Sequence, residues 1–142
     1  MRRHRARSSI LSTCGFLAAA ALWAGCAGTG DRQASSSAPV DYVEQIQPIL
    51  ETNCYECHGS AVQVPSGKLR LDGRKGMLKG GRSGHPTLIP GNAADSPLYI
   101  VITGGSGDGT WRAMPPHGKR LNPDDIALIR GWIDQGATFG AQ

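Results

Sequence analysis

Two thiols three residues apart and an imidazole directly after them, in Cys54-Tyr55-Glu56-Cys57-His58, are the side chains of this chain best placed to do chemistry. The pattern C-x-x-C-H reads as an attachment site for c-type haem. On a helical turn, positions three and four apart share a face. Cys54, Cys57 and His58 therefore point one way, with two thiols for the haem vinyl groups and one imidazole for the iron. Two other chemistries use paired cysteines. A zinc site needs two more ligands at similar spacing, and the chain has no second C-x-x-C. A thioredoxin-like redox pair expects a surrounding βαβ pattern, which is also missing.

An iron bound by His58 has one further axial position. Met77, Met114, His85 and His117 are the candidates. Met114 sits in Ala113-Met114-Pro115-Pro116, where two prolines restrict the backbone and leave a thioether little entropy to lose. Met77 falls in a stretch with helical pattern, where packing is the ordinary role. His117 stands beside Gly118-Lys119-Arg120 and is expected to face solvent. Met114 is the expected ligand, which makes a His/Met pair and a low-spin iron of raised potential.

The chain has 142 residues and a formal charge of +4. Arg2, Arg3, Arg5 and Arg7 precede an apolar run; without those four, the 15 basic residues fall to 11, against 11 acidic ones. The remainder is formally neutral, so no basic nucleic-acid-binding face is expected. Gly104 to Gly109 reads as a mobile loop without the Lys-Ser/Thr of a phosphate loop, so no nucleotide is expected either.

The basic start and the Ala-rich run Ile10 to Trp23, too short to span a membrane comfortably, read as an export signal. The run ends in Leu22-Trp23-Ala24-Gly25-Cys26, which resembles a bacterial lipoprotein processing site, with Cys26 as the lipid-bearing first residue. Cleavage nearby by an ordinary signal peptidase is the alternative. The expected organisation is a signal peptide over 1–25, a lipidated Cys26 and flexible tether over 26–40, rich in Ala, Gly and Ser, and a folded domain over 41–142. Cys14 leaves with the signal, Cys26 takes lipid, and Cys54 and Cys57 take haem. No cysteine remains for a disulfide.

The positioning elements are helical in pattern. Asp41 is an N-cap, followed by Val43, Ile46 and Leu50 on one apolar face, with Ile49 beside them. Pro48 interrupts that face, so a kink or a fresh helix start is expected there. Leu69 and Leu71 alternate with Arg70 and Asp72 over too short a run to define a strand. Arg74 to Lys79 predicts one or two helical turns ended by Gly80-Gly81. Ser96 as N-cap and Pro97 at the first helical position open another helix. Asn122 and Pro123 open the last, with Asp124 and Asp125 complementing its positive end, Ile126, Ile129 and Ile133 on one stripe beside Trp132, and Gly136 at its end. Gly131 inside that helix costs roughly 1 kcal/mol against Ala, which marks either a close backbone contact or a tolerated surface position.

Taken together, the chain resembles the planctomycete-type cytochrome c domain of the class I cytochrome c superfamily. The matching residues are Pro48-Ile49-Leu50, Cys54-Tyr55-Glu56-Cys57-His58-Gly59, Leu69-Arg70-Leu71-Asp72, Gly80-Gly81, Ser83-Gly84, Pro90-Gly91, Ser96-Pro97-Leu98, Met114-Pro115-Pro116, and Trp132-Ile133 with Gly136-Ala137. The resemblance implies an all-α fold wrapped around one covalent haem c, with His58 proximal and Met114 distal. It also implies that a proline carbonyl near Pro86 orients His58 through its second ring nitrogen. The expected function is one-electron transfer between redox partner proteins, without catalysis, on the periplasmic side of a bacterial membrane. Two alternatives stand beside it. One is a haem enzyme or gas sensor with a displaceable sixth ligand and with His85 or His117 as acid/base groups. The other is a haem-bearing subunit whose Arg70, Arg82, Arg112 and 104–109 loop face a partner, with Trp111 or Arg112 as candidate propionate donors.

Overall fold

The computed structural model describes residues 38–140. The signal peptide, Cys26 and all but the last three residues of the tether lie outside the described residues. Within 38–140 the chain forms five α-helices and no strand: α1 (Gln47–Asn53), α2 (Tyr55–His58), α3 (Arg74–Lys79), α4 (Pro97–Thr103) and α5 (Pro123–Asp134). The all-α class implied by the resemblance holds among the described residues.

Asp41 caps the first turn by accepting the Glu44 N–H at 2.8 Å. Tyr42–Ile46 is then a single wide π-turn, closed by the Gln47 N–H on the Tyr42 carbonyl. Pro48 explains the widening, because its ring clashes with the carbonyl four residues back and offers it no N–H. After the π-turn, α1 starts afresh with Pro48 in its first turn, where proline is tolerated. The wide turn also resets which side chains face inward. Tyr42 is 2% exposed. Val43, expected on the apolar face, is instead 53% exposed.

Tyr42, Trp132 and Phe139 pack as an aromatic trio with centroid separations of 5.5, 4.8 and 5.1 Å. Together with Ile46, Leu50, Ile129 and Ile133 they join the start of the folded chain to its end. The Trp132 indole donates to the Thr138 carbonyl at 2.8 Å, which satisfies its buried N–H. Asn122 caps α5 as expected, accepting the Asp125 N–H at 2.8 Å. A Cβ built on Gly131 would meet Val40 at 3.6 Å, an ordinary contact, so Gly131 lies against the segment entering the first turn without requiring glycine.

Two expectations are corrected. Ser96 occupies the N-cap position of α4, but its side chain does not cap the helix. The buried hydroxyl instead donates to the Asn92 carbonyl at 2.7 Å and accepts the Ile89 N–H at 2.8 Å, fastening the preceding turn. The 104–109 loop, expected to be mobile, is cross-braced. Gly105 pairs with Arg112, and the Ser106 N–H donates to the Trp111 carbonyl at 2.8 Å. Asp108 accepts from the hydroxyls of Ser106 and Thr110 and from the Thr110 N–H, which lowers its carboxyl pKa to about 2.

Candidate functional site

The break between α1 and α2 falls at Cys54, whose backbone leaves the helical region at φ −127° while its N–H still donates to the Leu50 carbonyl at 2.8 Å. The Cys54 carbonyl then accepts the N–H groups of Cys57 at 3.1 Å and His58 at 2.9 Å. This one turn holds the two sulfurs and the imidazole together. Gly59 must follow it, because a Cβ there would come within 2.7 Å of Tyr55.

Cys54, Cys57 and His58 line one cavity of about 650 Å³. Leu69, Leu71, Pro97, Leu98, Val101 and Ile102 supply much of its apolar wall. Met114 lines the same cavity from another segment, held to α4 by its N–H on the Val101 carbonyl at 2.8 Å. The Met114–Pro115 peptide is cis. His85 and His117 reach the rim from exposed positions. Met77 does not line the cavity; it is fully buried in the core, the packing role its helical setting suggested.

The His58 ring has a defined orientation. Its Nδ1 lies 3.2 Å from the Leu69 carbonyl oxygen. A carbonyl only accepts, so Nδ1 carries the proton and Nε2 keeps a free lone pair for a metal. The orienting group is therefore Leu69, not a carbonyl near Pro86, and Pro86 is absent from the cavity wall. The local reason is that the Leu71 N–H donates to the His58 carbonyl at 2.9 Å, which lays residues 69–71 alongside the imidazole.

Arg70 braces this arrangement. Its guanidinium donates to the Gly59 carbonyl and, at 2.7 Å, to the Val62 carbonyl. Arg70→Ala is expected to lower stability by about 2 kcal/mol, the range for hydrogen bonds made by a charged donor, and to loosen His58. Thermal unfolding of the variant checks this, and an unchanged midpoint would remove Arg70 from the brace.

Burial pushes the Cys54 thiol up to about 11, with Cys57 adding to the rise and Lys119 opposing it. A redox dithiol works through a lowered thiol pKa, so this environment speaks against a thioredoxin-like pair. Among the described residues, no three or more His, Cys, Asp or Glu side chains come together to hold a bare metal ion. The donor set suits a different group: two thiols and an oriented imidazole on one turn, a thioether from another segment, and an apolar cavity of small-molecule size. Haem c fits these residues.

Comparison with known families agrees. Residues 54–118 match the family model for planctomycete cytochrome C. The chain carries a planctomycete-type cytochrome c domain. Such a domain binds haem and suggests electron transfer in place of catalysis. The match runs from Cys54 to just beyond His117, so it takes in both Cys54-Tyr55-Glu56-Cys57-His58 and Met114. The π-turn, α1 and α5 lie outside it. No curated protein and no solved structure matches the chain. Among the described residues, no helix is long and apolar enough to cross a membrane.

The orienting Leu69 carbonyl, the Arg70 brace, and Arg82 and Lys119 on the cavity wall were not identified from sequence as site groups. A backbone carbonyl carries no residue signature, so no pattern search finds it. The Leu-Arg-Leu-Asp run was the available signal for Arg70.

Proposed function

We propose that the protein is an exported, mono-haem electron carrier in which Cys54 and Cys57 hold haem c through thioethers and His58 and Met114 are the axial ligands. The observation that carries this reading is the shared cavity, lined at once by both thiols, by an imidazole with its Nε2 free, and by the Met114 sulfur's residue. Bound haem supplies a one-electron change at its iron. The chain's part is to keep reorganisation small. Leu69 holds His58 in one tautomer, and Val101 holds the Met114 segment. The apolar wall and the thioether favour reduced iron and raise the potential.

The test is a pair of absorption spectra, oxidised and reduced, together with the mass of the mature chain. Each thiol S–H adds across one vinyl group, so the expected mass is the chain plus one intact haem. Cys54→Ala or Cys57→Ala is expected to reduce covalently retained haem sharply. A wild-type mass with no haem, from a host able to attach it, refutes the reading.

The leader and Cys26 place the domain, on this proposal, at the periplasmic face of a bacterial membrane, tethered by lipid and exchanging electrons with protein partners. Cys26→Ser is then expected to move the protein from the membrane fraction to the soluble one. Wild type already soluble after export excludes the lipid anchor.

A second reading draws on His85 and His117, which share the cavity with Met114. If Met114 leaves its position readily, these two imidazoles are available for acid/base work in a haem enzyme or sensor. External-ligand binding separates the two readings.

A further inference from the structure

The helix α3 carries its charges against the preference of a helix. Arg74 and Lys75 stand in its first turn, where unpaired N–H groups make a positive end that favours acids, and no acidic residue accompanies them. The ordinary arrangement is seen in α5, with Asp124 and Asp125 in that place. Lys79 follows in the last turn of α3, and all three cations are exposed. None of them is ion-paired; among the described residues the single salt bridge joins Arg130 to Asp134. The helix gains nothing from this placement, so the counter-charge is to be sought outside the domain.

The three cations share one surface. Gly73, Arg74, Lys75, Leu78 and Lys79 line a concavity that has no residue in common with the haem cavity. Two further exposed cations flank α3 in the chain, Lys68 and Arg82. The fold joins those flanks, because the Arg82 N–H donates to the carbonyl of Gly67 at 2.6 Å. Val64, 78% exposed, stands shortly before Lys68. Asp72 is the one acid between residues 64 and 85. Over residues 38–140 as a whole, ten Lys and Arg face ten Asp and Glu, so the domain is formally neutral. Attraction to an anionic surface then comes only from local clustering of this kind.

We propose that the Arg74, Lys75 and Lys79 face of α3 docks on the anionic headgroups of the bilayer to which the domain is tethered. This rests on the lipid-anchor reading above. On that reading eleven residues lie between the acylated Cys26 and the described chain. A segment of that length rich in Ala, Gly and Ser has a root-mean-square reach of roughly 20 Å. The bilayer surface is thereby kept close to the domain at all times, whereas an acidic protein reaches it only by diffusion. Lys and Arg suit such a surface, since their stems lie along apolar groups such as Leu78 while the charged heads reach phosphates. Each cation brought to an anionic leaflet adds to the attraction. Docking through α3 holds the tethered domain in one orientation on the membrane.

The experiment uses the haem-loaded mature chain without its acyl group, exported behind an ordinary cleavable signal peptide in place of residues 1–25 and carrying Cys26→Ser. Co-sedimentation is measured with vesicles of phosphatidylcholine alone and of phosphatidylcholine mixed with phosphatidylglycerol. The chain is expected to bind the mixed vesicles at about 0.1 M salt, to ignore the neutral ones, and to be released near about 1 M, where screening acts within ~3 Å. Binding is expected to weaken about 5-fold for each α3 cation removed, and on the order of 100-fold in the triple variant Arg74→Gln, Lys75→Gln, Lys79→Gln. The charge-preserving set Arg74→Lys, Lys75→Arg, Lys79→Arg keeps it. Arg120→Gln, an exposed cation outside both concavities, leaves it unchanged. Equal binding to neutral vesicles, undiminished binding in the triple variant, or an equal loss in Arg120→Gln overturns the proposal. So does a chain that ignores vesicles and instead associates with itself, or with an added acidic protein, through the same cations. Should the triple variant not fold, as read from its haem spectrum, Lys79→Gln alone carries the test. Wild type already soluble after export removes the lipid anchor, a failure of the earlier reading; vesicle binding is measured on the unacylated chain and decides the docking face separately.

Discussion

Met114→Ala gives a holo-protein whose oxidised haem is high-spin or water-bound and takes up cyanide or azide readily, and whose reduced haem takes up carbon monoxide. In wild type those ligands wait for the thioether to leave. If it is off in about one molecule in a hundred, apparent affinity rises roughly 100-fold when it is deleted. Met114→His keeps a six-coordinate, low-spin iron but lowers the potential, because imidazole donates more strongly than a thioether and favours the oxidised form. His85 and His117 line the same cavity. A low-spin Met114→Ala spectrum that becomes high-spin only when both histidines are also removed shows one of them taking the vacant position. Met77→Leu is the control: fully buried and outside the cavity wall, it leaves spectrum and potential unchanged and costs under about 1.5 kcal/mol. Wild type binding external ligands as fast as Met114→Ala has an open sixth position, and the carrier reading then yields to a sensor or peroxidase.

Trp132→Ala is expected to lose about 3–5 kcal/mol, a large part of the roughly 5–15 kcal/mol that holds a small domain together. Trp132 is fully buried, touches Tyr42 and Phe139, and bonds Thr138 through its indole. It is the point at which the π-turn, α5 and the C-terminal segment meet. Trp132→Phe keeps much of the apolar contact and gives up the Thr138 bond, so its loss falls well below that of Ala. Denaturant unfolding of the haem-loaded chain measures both. A loss under about 1 kcal/mol for Trp132→Ala would mean that the aromatic trio is not the centre of the core. The trio lies outside the matched segment 54–118. A large effect therefore shows that the flanking segments are part of the folding unit.

Interactions carried by near neighbours were legible in the sequence. Cys54, Cys57 and His58 share a turn because their spacing matches the helical repeat, and Asn122-Pro123 opens α5 because the cap and the first helical position are three-residue affairs. Arg74 to Lys79 ends at Gly80, which has φ 75° and would drive a Cβ into the His85 carbonyl. Met114 stood out because two prolines follow it. Contacts between distant segments were decided by tertiary structure. Tyr42 took the inward position expected of Val43, because Pro48 forces a π-turn that shifts the register of the helix before it. The Leu69 carbonyl took the role that the resemblance placed near Pro86, because the backbone pairing of Leu71 with His58 lays that strand of chain beside the ring. Ser96 ties a turn where its position suggested a cap, and Arg70 braces two carbonyls where its charge suggested a surface. In each case the partner is a backbone group or a residue brought in from another segment. Side-chain identity and spacing encode the donor or the ligand, and the acceptor it finds is a property of the folded chain.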